Sequence, residues 1–224
     1  MSSEMRIERA SFYKNPFIGL FLKANEKTAI APPHASPKII EQLKDVLGVE
    51  VHQFLINQSA LLGLYSVMNS KGVVLPTLAK EAEEKAFLKM GYNVCKIPDA
   101  FSAASNNVLA NDHACLVNPG IPQKTIQDIR DCLDVEVHKG KIAGISTVGA
   151  INVVTNKGLL AFNDCSDNDL QYLEKLFKVK GSRATANLGV PFNSINLVAN
   201  SKGVIVGEST TGFEIQRIYE ALST

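Results

Sequence analysis

The sequence predicts a single α/β domain, built as a propeller of five ββαβ-like repeats around a pseudo-fivefold axis. A polar tetrad recurs about every 44 residues, apolar runs flank each tetrad, and an amphipathic helix pattern follows each pair of runs. We also expect the N-terminal strand to pair with the last repeat and close the ring. The predicted repeats span residues 14–58, 59–98, 99–143, 144–186 and 187–224, the last completed by residues 5–10.

The first two strands of each repeat are predicted by a polar tetrad between two apolar runs, which is a hairpin signature. The run before the tetrad, such as Ile18–Ala24 or Ile195–Ala199, predicts the inner strand. The run after it, such as Val204–Val206, is continuously apolar, which is typical of a strand covered on both faces. The tetrads begin at Asn25, Asn69, Asn111, Thr155 and Asn200, at spacings of 44, 42, 44 and 45 residues.

A helix is predicted after each hairpin, and three of the five carry clear end signals. The first helix should begin at Ser36-Pro37 and end at Gly48. The fourth and fifth have the spacing of a capping box. Those boxes are Ser166 with Asp169 and Thr211 with Glu214. The second helix is predicted to bury one apolar face, formed by Leu78, Ala82, Ala86 and Met90, and the third is predicted from Ile126, Ile129 and Leu133.

A third strand closes each repeat except the fifth, where the chain ends. Val49–His52 and Val135–His138 are the same tetrapeptide, and Tyr92–Ile97 and Val179–Ala184 occupy the equivalent places. Met5–Ala10 alternates as a half-buried strand does, so we expect it to complete the fifth repeat; residues 1–4 should form a frayed extension. Closure protects sheet edges that an open row would expose, and one repeat alone is too small to be stable.

Small residues recur six positions before each tetrad, where we expect five strands to converge on the axis. Only small side chains leave room for neighbouring backbones there. The predicted axial ring is Gly19, Gly63, Ser105, Gly149 and Ser194. The residues that follow should border the axial mouth, either as a partner-binding patch or as a plug of the axis. They are Leu20, Leu64, Asn106, Ala150 and Ile195.

Composition narrows the function classes. The 23 basic and 22 acidic residues leave a net charge of +1 without a basic cluster, so naked DNA or RNA is not the expected partner. No apolar stretch is long enough to span a membrane, no signal-peptide pattern opens the chain, and we expect a cytoplasmic protein. The four cysteines lack metal-type spacing and fit a reduced compartment, so no metal and no cofactor are expected.

Several segments resemble the translation initiation factor 6 family, the ribosome anti-association factors of archaea and eukaryotes. The most specific are Ser209–Glu214, Thr147–Gly149 and Asn187–Gly189, and the resemblance covers the chain from Met5. The short end after Leu222 is similar to the archaeal form. Members of this family adopt the pentein fold of five repeats around an axis, which agrees with the repeat count found here.

The resemblance implies a non-catalytic monomer that binds the intersubunit side of the large ribosomal subunit and blocks the small subunit sterically. The implied neighbours are a ribosomal protein of the uL14 kind and the sarcin–ricin loop of the large rRNA. The ribosome-facing Asn of the family matches Asn106. The chain departs from the family at Ser105 and Ser194, where Gly is usual, and at Phe162-Asn163, where a His-Pro pair is usual.

An enzyme of the same fold is the alternative hypothesis, because pentein hydrolases that modify guanidino groups use a Cys nucleophile in the axial channel. The chain has no Cys after Cys165, where that nucleophile is expected, and the other cysteines fall at apolar strand or helix positions. A structural adaptor with an unrelated protein partner is a third hypothesis.

Overall fold

A computed structural model describes residues 4–224. In it the chain turns at the predicted hairpin tetrads, and helices begin at the predicted capping residues. The strands are β1 Arg6–Ala10, β2 Lys23–Ala24, β3 Thr28–Ala31, β4 Glu50–Gln53, β5 Val67–Met68, β6 Gly72–Pro76, β7 Asn93–Ile97, β8 Val108–Ala110, β9 Ala114–Val117, β10 Glu136–Lys139, β11 Val153–Val154, β12 Gly158–Ala161, β13 Lys180–Arg183, β14 Leu197–Ala199 and β15 Gly203–Gly207. Met1–Ser3 of the expected extension lie outside the described residues, and Glu4 is exposed.

Long helices alternate with short ones along the chain. The long helices are α1 Pro37–Leu47, α3 Glu81–Lys89, α5 Gln123–Leu133, α7 Asp167–Phe177 and α9 Gly212–Leu222. The short ones are the 3₁₀ turn Ile18–Leu20, α2 Leu62–Tyr65, α4 Ala104–Asn107, α6 Val148–Ile151 and α8 Asn193–Asn196. A second 3₁₀ turn covers Asp99–Phe101.

Five three-stranded sheets repeat one topology, which confirms the predicted α/β fold of five repeated units. In each sheet the inner strand pairs antiparallel with a middle strand, and the middle strand pairs parallel with an outer one. In the fifth sheet β1 is the outer strand, in register with β15 from Arg6–Gly203 to Ala10–Gly207. Each sheet takes its strands from one predicted repeat range, and the exact repeat boundaries stay predictions.

The hydrophobic cores lie between repeats, because long helices pack on the sheet of the repeat before their own. Helix α5 contacts β6 and β7, α9 contacts β12 and β13, and α1 contacts β15 and β1. At this last junction Leu43 and Leu47 of α1 share a buried cluster with Val198 and Ile205 of the fifth repeat. A repeat therefore has no complete core of its own, which is the physical reason for its dependence on both neighbours.

Two expectations about local structure were wrong. The inner strands are only two or three residues long, because the first half of each apolar run forms a short helix instead. The helical turns form local hydrogen bonds in place of strand pairing, such as those from the N–H groups of Phe21 and Leu22 to Ile18 O, both at 3.0 Å. Helix α3 begins at Glu81 and buries Phe87, whereas Ala82 of the predicted face is exposed and Leu78 lies outside the helix.

The first residue of each tetrad links neighbouring hairpins. Its side-chain oxygen accepts hydrogen bonds from the turn, as when Asn69 accepts from the N–H groups of Lys71 and Gly72, both at 2.9 Å. Its amide donates to the backbone of the next hairpin. These links are Asn25 to Asn69 O (2.8 Å), Asn69 to Asn111 O (3.3 Å), Asn111 to Thr155 O (3.0 Å) and Asn200 to Asn25 O (3.1 Å).

The Thr155 hairpin lacks the outgoing link, because threonine has no amide to donate to Asn200 O. We expect Thr155→Asn to add the link and stabilise the fold by ~1 kcal/mol, the usual net contribution of one hydrogen bond. Urea unfolding of the variant measures this effect. Thr155→Ala is the matched control and should destabilise, because it removes the acceptor of the Lys157 and Gly158 N–H groups. Equal midpoints for Thr155→Asn and wild type would contradict the expected link.

Candidate functional site

The five short helices form a ring around the axis, and each contacts the next: the 3₁₀ turn Ile18–Leu20, α2, α4, α6 and α8, which contacts the first again. Four tight turns, closed by bridges such as Phe12–Asn15 and Ala186–Val190, each precede one of these helices. The hairpins lie at the opposite ends of the inner strands. We call the side that carries the short helices and tight turns the short-helix face.

The predicted axial ring residues all lie in the short helices, not in strands as expected. A Cβ added at Gly63 would collide with Gly19 O, one at Gly19 with Ser194 O, and one at Gly149 with Ser105 O. Backbones of adjacent repeats therefore touch at these glycines, and only the absence of a side chain allows the approach. The hydroxyl of Ser105 accepts a hydrogen bond from Lys23 Nζ at 3.1 Å.

The residues predicted for the axial mouth differ in accessibility. Leu20, Leu64, Asn106 and Ile195 are half-buried, whereas Ala150 is 7% exposed and packs in a hydrophobic cluster. Within residues 4–224 the side-chain amide of Asn106 has no hydrogen-bond partner, and only its backbone N–H is bonded, to Ala103 O at 3.0 Å. An accessible amide bordered by apolar side chains can bind a protein backbone or an RNA edge.

The most exposed large apolar side chains were not among the site residues predicted from the sequence. Phe213 is 77% exposed, Leu188 73% and Tyr13 71%. Each follows or occupies a turn, where a polar residue would be expected. An apolar residue at such a turn was the feature of the sequence that could have indicated a binding surface. Tyr13 lies in the first tight turn, and Leu188 in the last. Large apolar side chains exposed near one another are typical of protein-binding surfaces.

Glu214 holds Leu188 and Phe213 near each other. Its buried carboxylate accepts hydrogen bonds from the N–H groups of Gly189 (2.8 Å), Leu188 (3.3 Å) and Thr211 (2.8 Å). Burial alone would raise the pKa of Glu214, but these hydrogen bonds outweigh burial and the pKa lies below its usual value. The carboxylate thus ties the last tight turn to the first turn of α9.

Asn187 ties the same turn to the first repeat. Its amide donates to Pro16 O at 3.0 Å and to Asn196 Oδ1 at 2.9 Å, and its backbone N–H donates to Thr210 Oγ1 at 3.2 Å. Pro16 directly follows the tight turn that carries Tyr13. The exposed apolar side chains of the first and last repeats therefore stand on one connected framework of the short-helix face.

The axis encloses a cavity between the axial ring and the hairpins, lined by inner-strand residues such as Val67 and Leu109. Within the described part of the chain no cysteine or histidine lines this cavity, and Lys23 is its one charged residue. An ammonium there repels a cationic guanidinium group. The cavity thus differs from what the hydrolase hypothesis requires, a thiol nucleophile and a site for a cation.

The four cysteine thiols lie outside the axial cavity. Burial raises the pKa of Cys115 and of Cys165. A hydrogen bond between the Cys95 and Cys132 side chains raises the pKa of Cys95 and lowers that of Cys132, and this pair lines a surface groove between β7 and α5. Among residues 4–224 no group of His, Cys, Asp and Glu is arranged to hold a metal ion, and no helix could cross a membrane.

Comparison with known proteins identifies the family. The model of the eIF-6 family matches residues 7–221. Translation initiation factor 6 of Pyrococcus horikoshii is 38% identical over 97% of this chain and 99% of its own length. The proteins of that name from Methanosarcina acetivorans and Picrophilus torridus are 38% and 34% identical, over 96% and 97% of this chain and 98% and 100% of their own lengths. These matches confirm the resemblance seen in the sequence: the chain belongs to the eIF-6 family.

Proposed function

We propose that the protein binds the large ribosomal subunit on its intersubunit side and prevents the small subunit from joining. The observation that carries this proposal is the family match along nearly the whole chain, with relatives named translation initiation factor 6. A factor of this size needs no chemistry for the task. It excludes the small subunit by occupying volume on the surface where the two subunits meet.

We infer that the short-helix face makes the contact. It combines the accessible amide of Asn106, the half-buried Leu20 and Leu64, and the exposed Leu188 and Phe213. Protein interfaces obtain most of their affinity from a few such anchors, with aromatic residues prominent among them. The rigid framework behind them lowers the entropy lost on binding.

The proposed neighbours on the subunit are a ribosomal protein of the uL14 kind and the sarcin–ricin loop. The nearly balanced charge of the chain favours a protein as the main contact, with RNA as the lesser one. The proposal includes action as a monomer in the cytoplasm. The ring residues Gly19, Gly63, Ser105, Gly149 and Ser194 would shape the contact face indirectly, by setting the spacing of the five short helices.

Sedimentation with purified subunits tests the proposal. The protein should travel with large subunits, stay at the top of the gradient with small subunits, and lower the yield of rejoined ribosomes. Release of citrulline from arginine analogues, without cosedimentation, would support the hydrolase hypothesis instead. Absence of both activities would favour an adaptor role.

Substitutions on the short-helix face should weaken subunit binding. We expect Leu64→Glu and Asn106→Lys each to raise the Kd by about tenfold or more, since loss of an anchor typically costs ~2 kcal/mol. Quantitative pelleting with large subunits measures the Kd. Thermal melting checks that each variant remains folded, because both side chains are half-buried and their replacement also has a cost in stability.

Matched controls lie on the outer helices. Leu88→Glu is the control for Leu64→Glu and introduces a negative charge at an exposed apolar position of α3. Gln127→Lys is the control for Asn106→Lys and introduces a positive charge at an exposed position of α5. Both should bind as wild type does. If the control variants lose binding while Leu64→Glu and Asn106→Lys retain it, the contact lies on the periphery and the assignment of the face is wrong.

A further inference from the structure

Lys23 extends into the axial cavity from β2, where the other repeats carry only apolar side chains. The equivalent positions, each two residues before the tetrad, are Val67, Leu109, Val153 and Val198. Lys23 Nζ reaches toward the third repeat and donates to Ser105 Oγ at 3.1 Å. A strongly hydrated ammonium thus stands in the axial cavity at a position where the other four repeats have an aliphatic side chain.

The protein does not compensate this charge. Within residues 4–224 Lys23 forms no ion pair, and Ser105 Oγ accepts one of the three hydrogen bonds that an ammonium can donate. Two acidic residues, Glu26 and Asp112, line a separate, adjacent cavity on the hairpin side. They are already engaged, Glu26 with the Ser201 hydroxyl at 2.8 Å and Asp112 with the Ser70 hydroxyl at 2.6 Å.

The lining of the cavity suits an anion in size and in chemistry. Its volume is about 60 Å³, which has room for a few water molecules or one small ion. No carboxylate lines it in the part of the chain that the structure describes. The hydroxyls of Ser105 and Ser194 line the cavity. The other three repeats have glycine at this ring position and therefore no side chain that could donate a hydrogen bond there.

We propose that the axial cavity binds a small monovalent anion, with Lys23 Nζ as its charged ligand and the Ser105 and Ser194 hydroxyls as further donors. The anion supplies the negative charge and the acceptors that the protein itself does not provide. Burial lowers the pKa of Lys23 to about 8, so the amine is protonated at neutral pH and able to bind an anion. This anion site is inferred from the cavity and does not rest on the proposed ribosome binding.

Chloride is the probe. In gluconate buffer of constant ionic strength at pH 7, replacing gluconate by chloride should raise the Tm by roughly 3 °C once chloride exceeds its Kd tenfold. Gluconate is too large for the cavity. Lys23→Met should abolish the chloride effect, whereas Lys71→Met, which removes an exposed lysine of a hairpin turn, should retain it. At pH 10 the wild-type effect should vanish, because the amine is neutral.

Two measurements locate the ion. Side-chain NMR of Lys23 should show that its apparent pKa rises by up to one unit for each tenfold increase in chloride above the Kd, since binding and protonation are linked. A crystal soaked in bromide should show an anomalous peak beside Lys23 Nζ. The proposal is wrong if chloride stabilises Lys23→Met as much as wild type, or if the Lys23 pKa does not depend on chloride.

Discussion

Removing the chain through Ala10 is expected to unfold the whole protein. Strand β1 supplies five register pairs to β15, and Met5 and Ala10 are buried in this region. At about 1 kcal/mol per backbone hydrogen bond and about 2 kcal/mol for a buried large side chain, the loss reaches ~5 kcal/mol or more. That is comparable with the entire stability of an ordinary domain.

The loss should spread beyond the fifth repeat. Arg9 Nε donates to Thr210 O at 2.9 Å, and Gln42 of α1 donates to Arg9 O at 3.1 Å, so β1 connects the last repeat with the first. Circular dichroism and urea unfolding measure the effect. A synthetic peptide of residues 4–12, added to the truncated chain, should restore the folded signal. A truncated protein that melts like wild type would contradict closure of the ring through β1.

Lys23→Met is expected to stabilise the protein at neutral pH in chloride-free buffer. The cavity leaves part of the side chain accessible, but protein surrounds the ammonium closely enough that burial lowers its pKa from 10.5 to about 8. At ~1.4 kcal/mol per pKa unit, the buried charge destabilises the wild type by up to about 3 kcal/mol. Methionine keeps the length of the side chain and removes this penalty.

The pH dependence distinguishes this cause from improved packing. Below pH 8 Lys23 is protonated in both the folded and the unfolded state, and the full penalty applies. Between pH 8 and 10.5 the unfolded chain binds more protons, so wild-type stability rises with pH relative to the variant. The two proteins should therefore converge near pH 10.5. A difference in unfolding free energy that stays constant from pH 7 to 10.5 would contradict the assignment to the Lys23 charge.

Local sequence patterns were enough to predict the repeated architecture and most helix ends. Ser36, Ser166 and Thr211 cap the helices as expected, and the hairpins turn at the polar tetrads. These features depend on interactions within a few residues, so the sequence displays them directly. The short helices were not predicted, because an apolar run of this length suits either a strand or a buried helix.

The site depended far more on long-range contacts. The sequence predicted a ring of small residues and a mouth formed by five more. Of these five, the structure leaves Leu20, Leu64, Asn106 and Ile195 half-buried and buries Ala150. The sequence did not predict that Glu214 binds the turn of Leu188, 26 residues earlier in the chain. Nor did it predict Lys23 in the axial cavity, since the direction of a side chain near the axis is set by all five repeats together. Repetition and capping are local properties, whereas the cavity and the exposed face arise only where distant repeats meet.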